Sequence, residues 1–417
     1  MKLKGGALYI AIFFGLLIAL LLSMMILMSY YRIIEYDSFL IEDRVQQNAK
    51  SALTLCLNSS EDQSELKTID LYDEQNDSIS YKTKWWGCYK LVAVKAFKKD
   101  YSLSYIALAG SQLPKDTCLI TIEKNKPISV SGKSIFKGIC LLPKAGTKTA
   151  YVDGQNFIGN NVVEGKIISA SNELPEFNPA WLKTTENNLT SYNPEKDSVI
   201  EFESYLQLDS IDNSFLNKTI FIHSDGVILV SNKFLSGNII LHSARKIIIE
   251  NSSSIKNILC IAPKVEIKKK VLAALQVLAS DTIITEEEVV LNYPSSLVVF
   301  SKKETKKQAA VIVGEKNSIS GQILSINNSF DPLINSYLRL SKKSIVKGLV
   351  YCNGYLDIQS KVNGIVLTNS FLLVTPSSVY EGHVLNAEID RAQLSNYFIA
   401  GILLNEKNKK GIAKWLN

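Results

Sequence analysis

Apolar residues fill the start of the chain almost without interruption. No charged residue occurs between Gly5 and Tyr31, and residues 7–28 are nearly all apolar. A helix of that length spans about 33 Å, enough to cross a hydrocarbon core of about 30 Å. A cleaved secretory signal has a shorter apolar region of about 7–15 residues, followed by a small-x-small site. Here the run leads into Met-Ser-Tyr-Tyr-Arg at residues 28–32. The pattern therefore predicts a retained transmembrane helix that binds the membrane through residues 7–28.

The charges on the two sides of this span predict its orientation. Lys2 and Lys4 precede it, whereas Glu35, Asp37 and Glu42 follow it. Positive flanks stay on the cytoplasmic side of a membrane. We therefore expect a single-pass protein with a short cytoplasmic leader, residues 1–6, and with its bulk in the periplasm or outside the cell.

The helix is predicted to continue beyond the membrane. Neither glycine nor proline occurs between Gly15 and Gly87. Residues at steps of three and four, the spacing of one helical face, are Ile34, Ser38, Ile41, Val45, Ala49, Ala52 and Cys56. We predict one helix over residues 7–57, about 75 Å long, whose second half is amphipathic.

This start of the chain resembles the N-terminus of type IV pilins and pseudopilins. The short leader with Lys4-Gly5-Gly6 and the apolar stretch that runs into an amphipathic helix carry the resemblance. The resemblance implies cleavage between Gly6 and Ala7 by a prepilin peptidase, and packing of the apolar helix in a filament. The fifth mature residue would be Ala11, where major pilins carry glutamate. The resemblance is therefore to minor pilins and pseudopilins that lack this acid, and the alternative is a plain membrane anchor with a chance Gly-Gly.

Residues 77–123 predict a small antiparallel β module. Short β-rich runs are separated by Gly87 and by the polar residues 98–100. Trp85 and Trp86 would point to opposite faces of a strand. They could bind a sugar ring, but the more common role of such residues is to cover a core.

Internal repetition is the most specific signal in the chain. Similar β runs recur at residues 220–224, 239–243, 258–262 and 275–279. Alternation within them predicts three columns of stacked residues. These columns are Ile220, Ile239, Ile258 and Leu275; then Ile222, Leu241, Cys260 and Val277; then the small residues Ser224, Ser243, Ala262 and Ala279. One such unit cannot bury its apolar face alone, so stacked units with parallel pairing are expected.

A recurring glycine supports the same architecture. Runs such as Ser-Ile-Phe-Lys-Gly and Ser-Val-Tyr-Glu-Gly each precede a β run, and the glycine is expected at a corner of the coil, where a positive φ or a close backbone approach is needed. The predicted corner glycines are Gly138, Gly165, Gly321, Gly348, Gly364 and Gly382.

The predicted fold class is mainly β: a right-handed parallel β-helix preceded by the long N-terminal helix and the small antiparallel module. First coils are expected at residues 124–171, an irregular insertion at 172–216, the main β-helix at 217–400 and a tail at 401–417. The stretch 344–390 resembles the bactofilin family of polymer-forming β-helices. Residues 302–307, which are rich in lysine, are interpreted as a solvated loop.

Composition excludes some functions. The chain has 46 Lys plus Arg against 40 Asp plus Glu, and this near-balance gives no concentrated basic surface for nucleic acid.

His223 and His242 would stack one coil apart, pointing outward, and His383 shows no partner. Among six cysteines without a CxxC motif, Cys118 and Cys140 are the best candidates for a disulfide.

No catalytic constellation is visible in the sequence. The acids lie mostly at turns, as in residues 286–288, or beyond the last corner, as with Glu388 and Asp390. We predict no enzyme, no metal and no cofactor.

The expected function is structural. The protein would be a membrane-anchored subunit with a β-helical body, and a minor pilin-like or pseudopilin-like partner of other filament or secretion-system subunits. The alternatives are a surface β-helix that binds or cleaves carbohydrate and a bactofilin-like polymer-forming scaffold.

Overall fold

The computed structural model describes residues 6–59, 66–70, 77–190, 198–301, 307–329, 331, 334–401 and 409–416. Within them the protein is mainly β, with one long apolar helix at the N-terminus. These two parts of the predicted fold class are confirmed. The leader before Gly6 and residues 302–306 of the predicted loop lie outside the described residues.

The chain divides into two compact units. The first comprises Met1–Cys56, Glu65–Lys82 and Ala93–Tyr105, and the second comprises the remainder. Strands β2 (Asp77–Trp86), β3 (Tyr89–Lys98) and β4 (Tyr101–Gln112) each contribute residues to both.

The first unit is built on helix α1 (Gly6–Asn58) and strand β1 (Lys67–Asp70), which pairs antiparallel with β2. The predicted face of the helix is buried at four positions near its C-terminal end, namely Val45, Ala49, Ala52 and Cys56. Ile34 of the same face is 43% exposed. The amphipathic pattern is therefore used for burial only over the last third of the helix.

The second unit contains the other elements. Its helices are α2 (Pro179–Thr190) and α3 (Phe202–Gln207). Its strands are β5 (Thr117–Thr121), β6 (Ile128–Ser131), β7 (Ile135–Lys137), β8 (Ile139–Leu142), β9 (Thr147–Thr149), β10 (Val163–Glu164), β11 (Ile167–Ser169), β12 (Ser198–Ile200), β13 (Ser210–Asn213), β14 (Ile220–Ser224), β15 (Val227–Val230), β16 (Phe234–Gly237), β17 (Ile239–Ser243), β18 (Lys246–Ile249), β19 (Ser254–Ile267), β20 (Leu272–Thr285), β21 (Val290–Phe300), β22 (Ala310–Val313), β23 (Ser318–Ile326), β24 (Tyr337–Leu340), β25 (Ile345–Ile358), β26 (Lys361–Val374), β27 (Val379–Glu381), β28 (His383–Leu385), β29 (Glu388–Asp390), β30 (Ile399–Ala400) and β31 (Lys410–Trp415).

Successive repeats of the second unit pair in parallel, strand on strand. Ile220 lies opposite Ile239, Ile222 opposite Leu241, and Ile258 opposite Leu275. The predicted columns are therefore confirmed in register. Apart from Ile220, which is half-buried, their apolar members are almost completely buried in a single core, because each coil covers the apolar face of the next. The result is a parallel, helix-like sheet.

The order of the coils in space differs from their order in the chain. Strand β26 pairs in parallel with β5 through Val366 and Leu119, and β5 pairs with β8, which pairs with β11. The coils formed by residues 117–169 thus stack beyond the C-terminal coils of the repeat. The stretch that follows them must lead back along the stack to β12, which pairs with β14 at the opposite end.

Two features of this connecting stretch hold it to the core. In α2, Trp181 is buried and its indole Nε1 donates a hydrogen bond to the carbonyl of Gly87, at 3.0 Å. In α3, Tyr205 is buried in the main core. The buried Lys233 ammonium donates to the carbonyls of Tyr205, Leu206 and Leu208, so it satisfies acceptors that the end of a helix leaves unpaired.

Candidate functional sites

The apolar surface of α1 is the first candidate site. The large apolar side chains from Leu8 to Leu40 are all at least 43% exposed. The helix is long and apolar enough to cross a membrane, a criterion that signal sequences and buried core helices also meet; here its apolar window is not buried in the protein. Gly6 and Ala7, the predicted cleavage pair, are exposed at the start of this helix.

Five of the six predicted corner glycines have a backbone φ between 135° and 155° and lie close to the backbone of a neighbouring coil. Gly321, Gly348 and Gly364 lie directly opposite one another in adjacent strands. A Cβ atom on Gly348 would lie 1.9 Å from the carbonyl oxygen of Gly321. Only glycine allows this approach.

Gly382 differs from the other five. Its φ is 72°, and an added Cβ would have no atom within 4 Å. It lies in the turn between β27 and β28 and lines a cleft described below. The shared sequence motif therefore marks glycines in two structural roles, because a turn with positive φ and a close approach of two backbones both favour this residue.

The two stacked histidines form a hydrogen-bonded pair. His223 and His242 are opposite one another in β14 and β17, and their Nδ1 atoms are 2.8 Å apart. The Nε2 atom of His223 is 3.2 Å from Oδ1 of Asp225. This carboxylate was missed from the sequence because it lies two residues along the chain, outside the column. Among the described residues no group of three His, Cys, Asp or Glu side chains could hold a metal.

We expect this pair to make stability depend on pH. Burial, with a smaller effect of His223, lowers the pKa of His242 from 6.5 to about 4. Because protonation then favours the unfolded chain, stability is complete above pH 6.5 and falls as the pH drops from 6.5 to 4. The ring is partly solvated, so we expect a loss of about 1–2 kcal/mol. Urea unfolding of the full-length protein between pH 7.5 and 4.5 measures it.

The control for this prediction is a comparison of two variants. His242→Gln should flatten the pH dependence, since glutamine does not titrate. Gln207→Asn, which exchanges two side chains that do not titrate at an exposed position, should leave it unchanged. An equal slope in wild type and in His242→Gln would contradict the assignment.

The six cysteines are all buried and free. Cys118 and Cys140, on the paired strands β5 and β8, have their sulfur atoms 3.3 Å apart. A hydrogen bond with Cys118, followed by burial, raises the pKa of the Cys140 thiol. The two residues predicted as the best pair are thus neighbours, and the disulfide itself stays a prediction.

The acids at the turns pair with lysines of the preceding coil. Lys268 lies 2.8 Å from Glu286, Lys269 lies 3.1 Å from Glu287, and Lys270 lies 3.8 Å from Glu288. These exposed pairs follow the 18-residue period, because equivalent turns stack on one another. This arrangement balances charge between coils.

One further acid on the same surface is more strongly held. Burial alone would raise the pKa of Glu266, but hydrogen bonds from Lys246 and Lys264 outweigh it and lower the pKa to about 2. The distances are 2.8 and 3.1 Å. Glu266 is therefore an ionised carboxylate held by lysines, which suits a structural ion pair and not a general acid.

The adjacent tryptophans do not have equal environments. Trp86 is 1% exposed, its Nε1 donates to the carbonyl of Asn257, and its ring meets that of Phe215 edge-on at 5.2 Å. Trp85 is only partly buried, with the Lys90 ammonium 6.0 Å from its ring. Trp86 thus covers a core, which was the more common of the two predicted roles.

An asparagine ladder was missed by the sequence analysis. Nδ2 of Asn353 donates to the carbonyl of Asn327, at 2.9 Å, and Nδ2 of Asn369 donates to that of Asn353, at 2.7 Å. The side chains thus bond successive coils where β strands bend. The signal in the sequence is an asparagine directly after a β run, but the spacings of 26 and 16 residues hide it because the coils differ in length.

A basic cleft is the second candidate site. It has a volume of about 220 Å³ and lies between the three-stranded sheet β28–β6–β9, the C-terminal end of β5 and the second half of β26. Its charged and titratable lining residues are Lys124, Lys126, Lys148, Glu381 and His383. The lysines are distant in sequence from the glutamate and histidine, so no local motif marks the site.

Comparison of the chain with protein-family models, with curated proteins and with solved structures finds no match.

Proposed function

We propose that the protein is a membrane-anchored, extracytoplasmic structural protein. In this proposal α1 crosses the bilayer with residues 7–28 and carries a right-handed parallel β-helix on the outer side. The contrast along α1 supports it: residues 8–40 expose their large apolar side chains, whereas the buried face begins only at Val45. A helix that only packed on its own protein would bury its most apolar part. The coil is proposed to be right-handed because connections between parallel strands of one sheet are right-handed in nearly all proteins.

The proposal extends to a minor pilin-like or pseudopilin-like component of a surface filament or secretion apparatus. The apolar helix that continues without a break into a buried stripe supports this, as does the leader with Gly5-Gly6. In a filament, the apolar surfaces of neighbouring helices would cover one another, with the β body outside.

Peptidase processing tests the pilin-like assignment. Coexpressed with a prepilin peptidase, the protein should lose Met1–Gly6 and begin at Ala7, as measured by the intact mass of membrane-extracted material. Gly6→Val should block processing, because the resemblance to pilins implies that the enzyme cuts after a leader glycine. Gly15→Val is the matched control: both glycines have no atom within 4 Å of an added Cβ, so neither substitution disturbs packing.

Three outcomes are decisive. Loss of residues 1–6 from wild type and from Gly15→Val, but not from Gly6→Val, supports the assignment. Retention of residues 1–6 in wild type leaves a plain anchor and ends the pilin-like proposal. Processing of Gly6→Val at the same position would show that a different peptidase acts.

Carbohydrate binding is a second candidate function, and the basic cleft is the observation that favours it. The cleft lies in the second unit and does not depend on how α1 is processed.

A further inference from the structure

We propose that the basic cleft binds a carboxylated sugar unit, a hexuronate, such as occurs in acidic polysaccharides. This proposal rests on the second candidate function, carbohydrate binding at this cleft, and does not depend on the structural role proposed for the whole protein.

Charge is the first reason. Three lysines, Lys124, Lys126 and Lys148, line the cleft, and the single acid in its lining is Glu381. Glu381 lies 3.7 Å from Lys124, which leaves Lys126 and Lys148 without a carboxylate within 4 Å among the described residues. A cleft with apolar walls and an excess of positive charge attracts an anion.

A neighbouring acid, Glu123, is ionised but lies outside the cleft lining, and hydrogen bonds from backbone N–H groups offset part of its negative charge. Glu123 accepts hydrogen bonds from the backbone N–H groups of Lys144 and Asn125, at 2.7 and 2.6 Å, and these bonds lower its pKa. It is not part of the cleft lining.

The strand register places the polar groups along one side. In the three-stranded sheet, Ser129 lies between His383 on β28 and Lys148 on β9. Residues side by side in parallel strands face the same side of a sheet, at about 4.8 Å per strand. The Cα atoms of Lys148 and His383 are therefore about 10 Å apart across the row, so that their side chains can contact a single sugar ring from two sides.

The remaining lining favours an organic anion over an inorganic one. Pro127, Pro143 and Phe371 give the cleft apolar walls, which would desolvate a phosphate without contacting it favourably. The aliphatic face of a sugar ring packs well on such walls. Nδ2 of Asn369 donates to the coil backbone, so its Oδ1 remains an acceptor for a sugar hydroxyl. At about 220 Å³ the cleft is below the usual range for drug-sized ligands and suits one sugar unit.

Calorimetric titration of the full-length protein in a nonionic detergent tests the proposal. The probes are methyl β-glucuronoside, methyl β-glucoside, which carries a neutral hydroxymethyl group in place of the carboxylate, and inorganic phosphate. We expect the glucuronoside to bind at least about tenfold more tightly than either of the others, and more weakly as salt is raised. The variant Lys126→Gln/Lys148→Gln should weaken its binding by about tenfold or more.

The matched control is Lys166→Gln/Lys347→Gln, which removes the same charge from two exposed lysines outside the cleft; it should bind as wild type does. Equal thermal midpoints of the two variants exclude a folding defect. Absence of glucuronoside binding, equal binding of glucoside, equal binding of phosphate, or full binding by the cleft variant would each overturn the proposal.

Discussion

Substituting Gly348 by alanine is expected to destabilise the β body by about 3–5 kcal/mol and to lower its thermal midpoint by roughly 10 °C. The glycine has a φ of 140°, and a Cβ atom would lie 1.9 Å from the carbonyl oxygen of Gly321 and 2.7 Å from the ring of Phe398. The backbone of one coil would have to move away from the next. Because coils are stabilised by their neighbours, the loss should spread along the stack. Thermal unfolding followed by circular dichroism measures it.

Gly226→Ala is the control for this result. Gly226 also lies in a coil, but its φ is not positive and the nearest atom to an added Cβ is Oγ of Ser224, at 3.6 Å. We expect a change within about 0.5 kcal/mol. If Gly348→Ala were as stable as Gly226→Ala, the close approach of adjacent coils at Gly348 would be wrong.

Two arginines in the apolar half of α1 are expected to abolish membrane integration. Leu16 and Leu20 are both 66% exposed and lie one helical turn apart near the middle of the predicted span. Each arginine at the centre of a transmembrane helix costs about 2.5–3.5 kcal/mol. The variant Leu16→Arg/Leu20→Arg should therefore shift the partition toward the soluble fraction by roughly ten-thousandfold or more. Sedimentation of carbonate-washed membranes measures the fraction retained.

The matched control is Tyr36→Arg/Phe39→Arg. These side chains are 62% and 64% exposed on the same helix but lie beyond residues 7–28. Arginines there should leave the protein in the membrane, because the polar interface accommodates them. Full membrane retention of Leu16→Arg/Leu20→Arg, or equal release of both variants, would contradict a span at residues 7–28.

The alternation of apolar and polar residues predicted the repeat well, because every coil must direct its apolar side chains into the same core. Ile222, Leu241, Cys260 and Val277 must all face one core, so alternation and period are enough to identify the column. The histidine pair was predicted by the same register. Asp225 was not, since a side chain outside the column can still reach its neighbour across a turn.

The cleft could not be predicted in this way. Lys148 and His383 are 235 residues apart in the chain, and strands β9 and β28 become neighbours of β6 only because the first coils stack after the last ones. The lysines at 268–270 likewise gain their partners at 286–288 from stacking. Sequence spacing shows the period but not which polar groups meet.

By itself, then, the sequence determined the apolar N-terminal helix, the mainly β body, the parallel register of the repeat and most of the close-approach glycines. These depend on local periodicity, which burial enforces at every coil. Only the tertiary structure decided the order of the coils, the point at which α1 begins to be buried and the residues that surround the cleft. Such features depend on contacts between segments far apart in the chain, and composition and spacing carry no record of which segments those are.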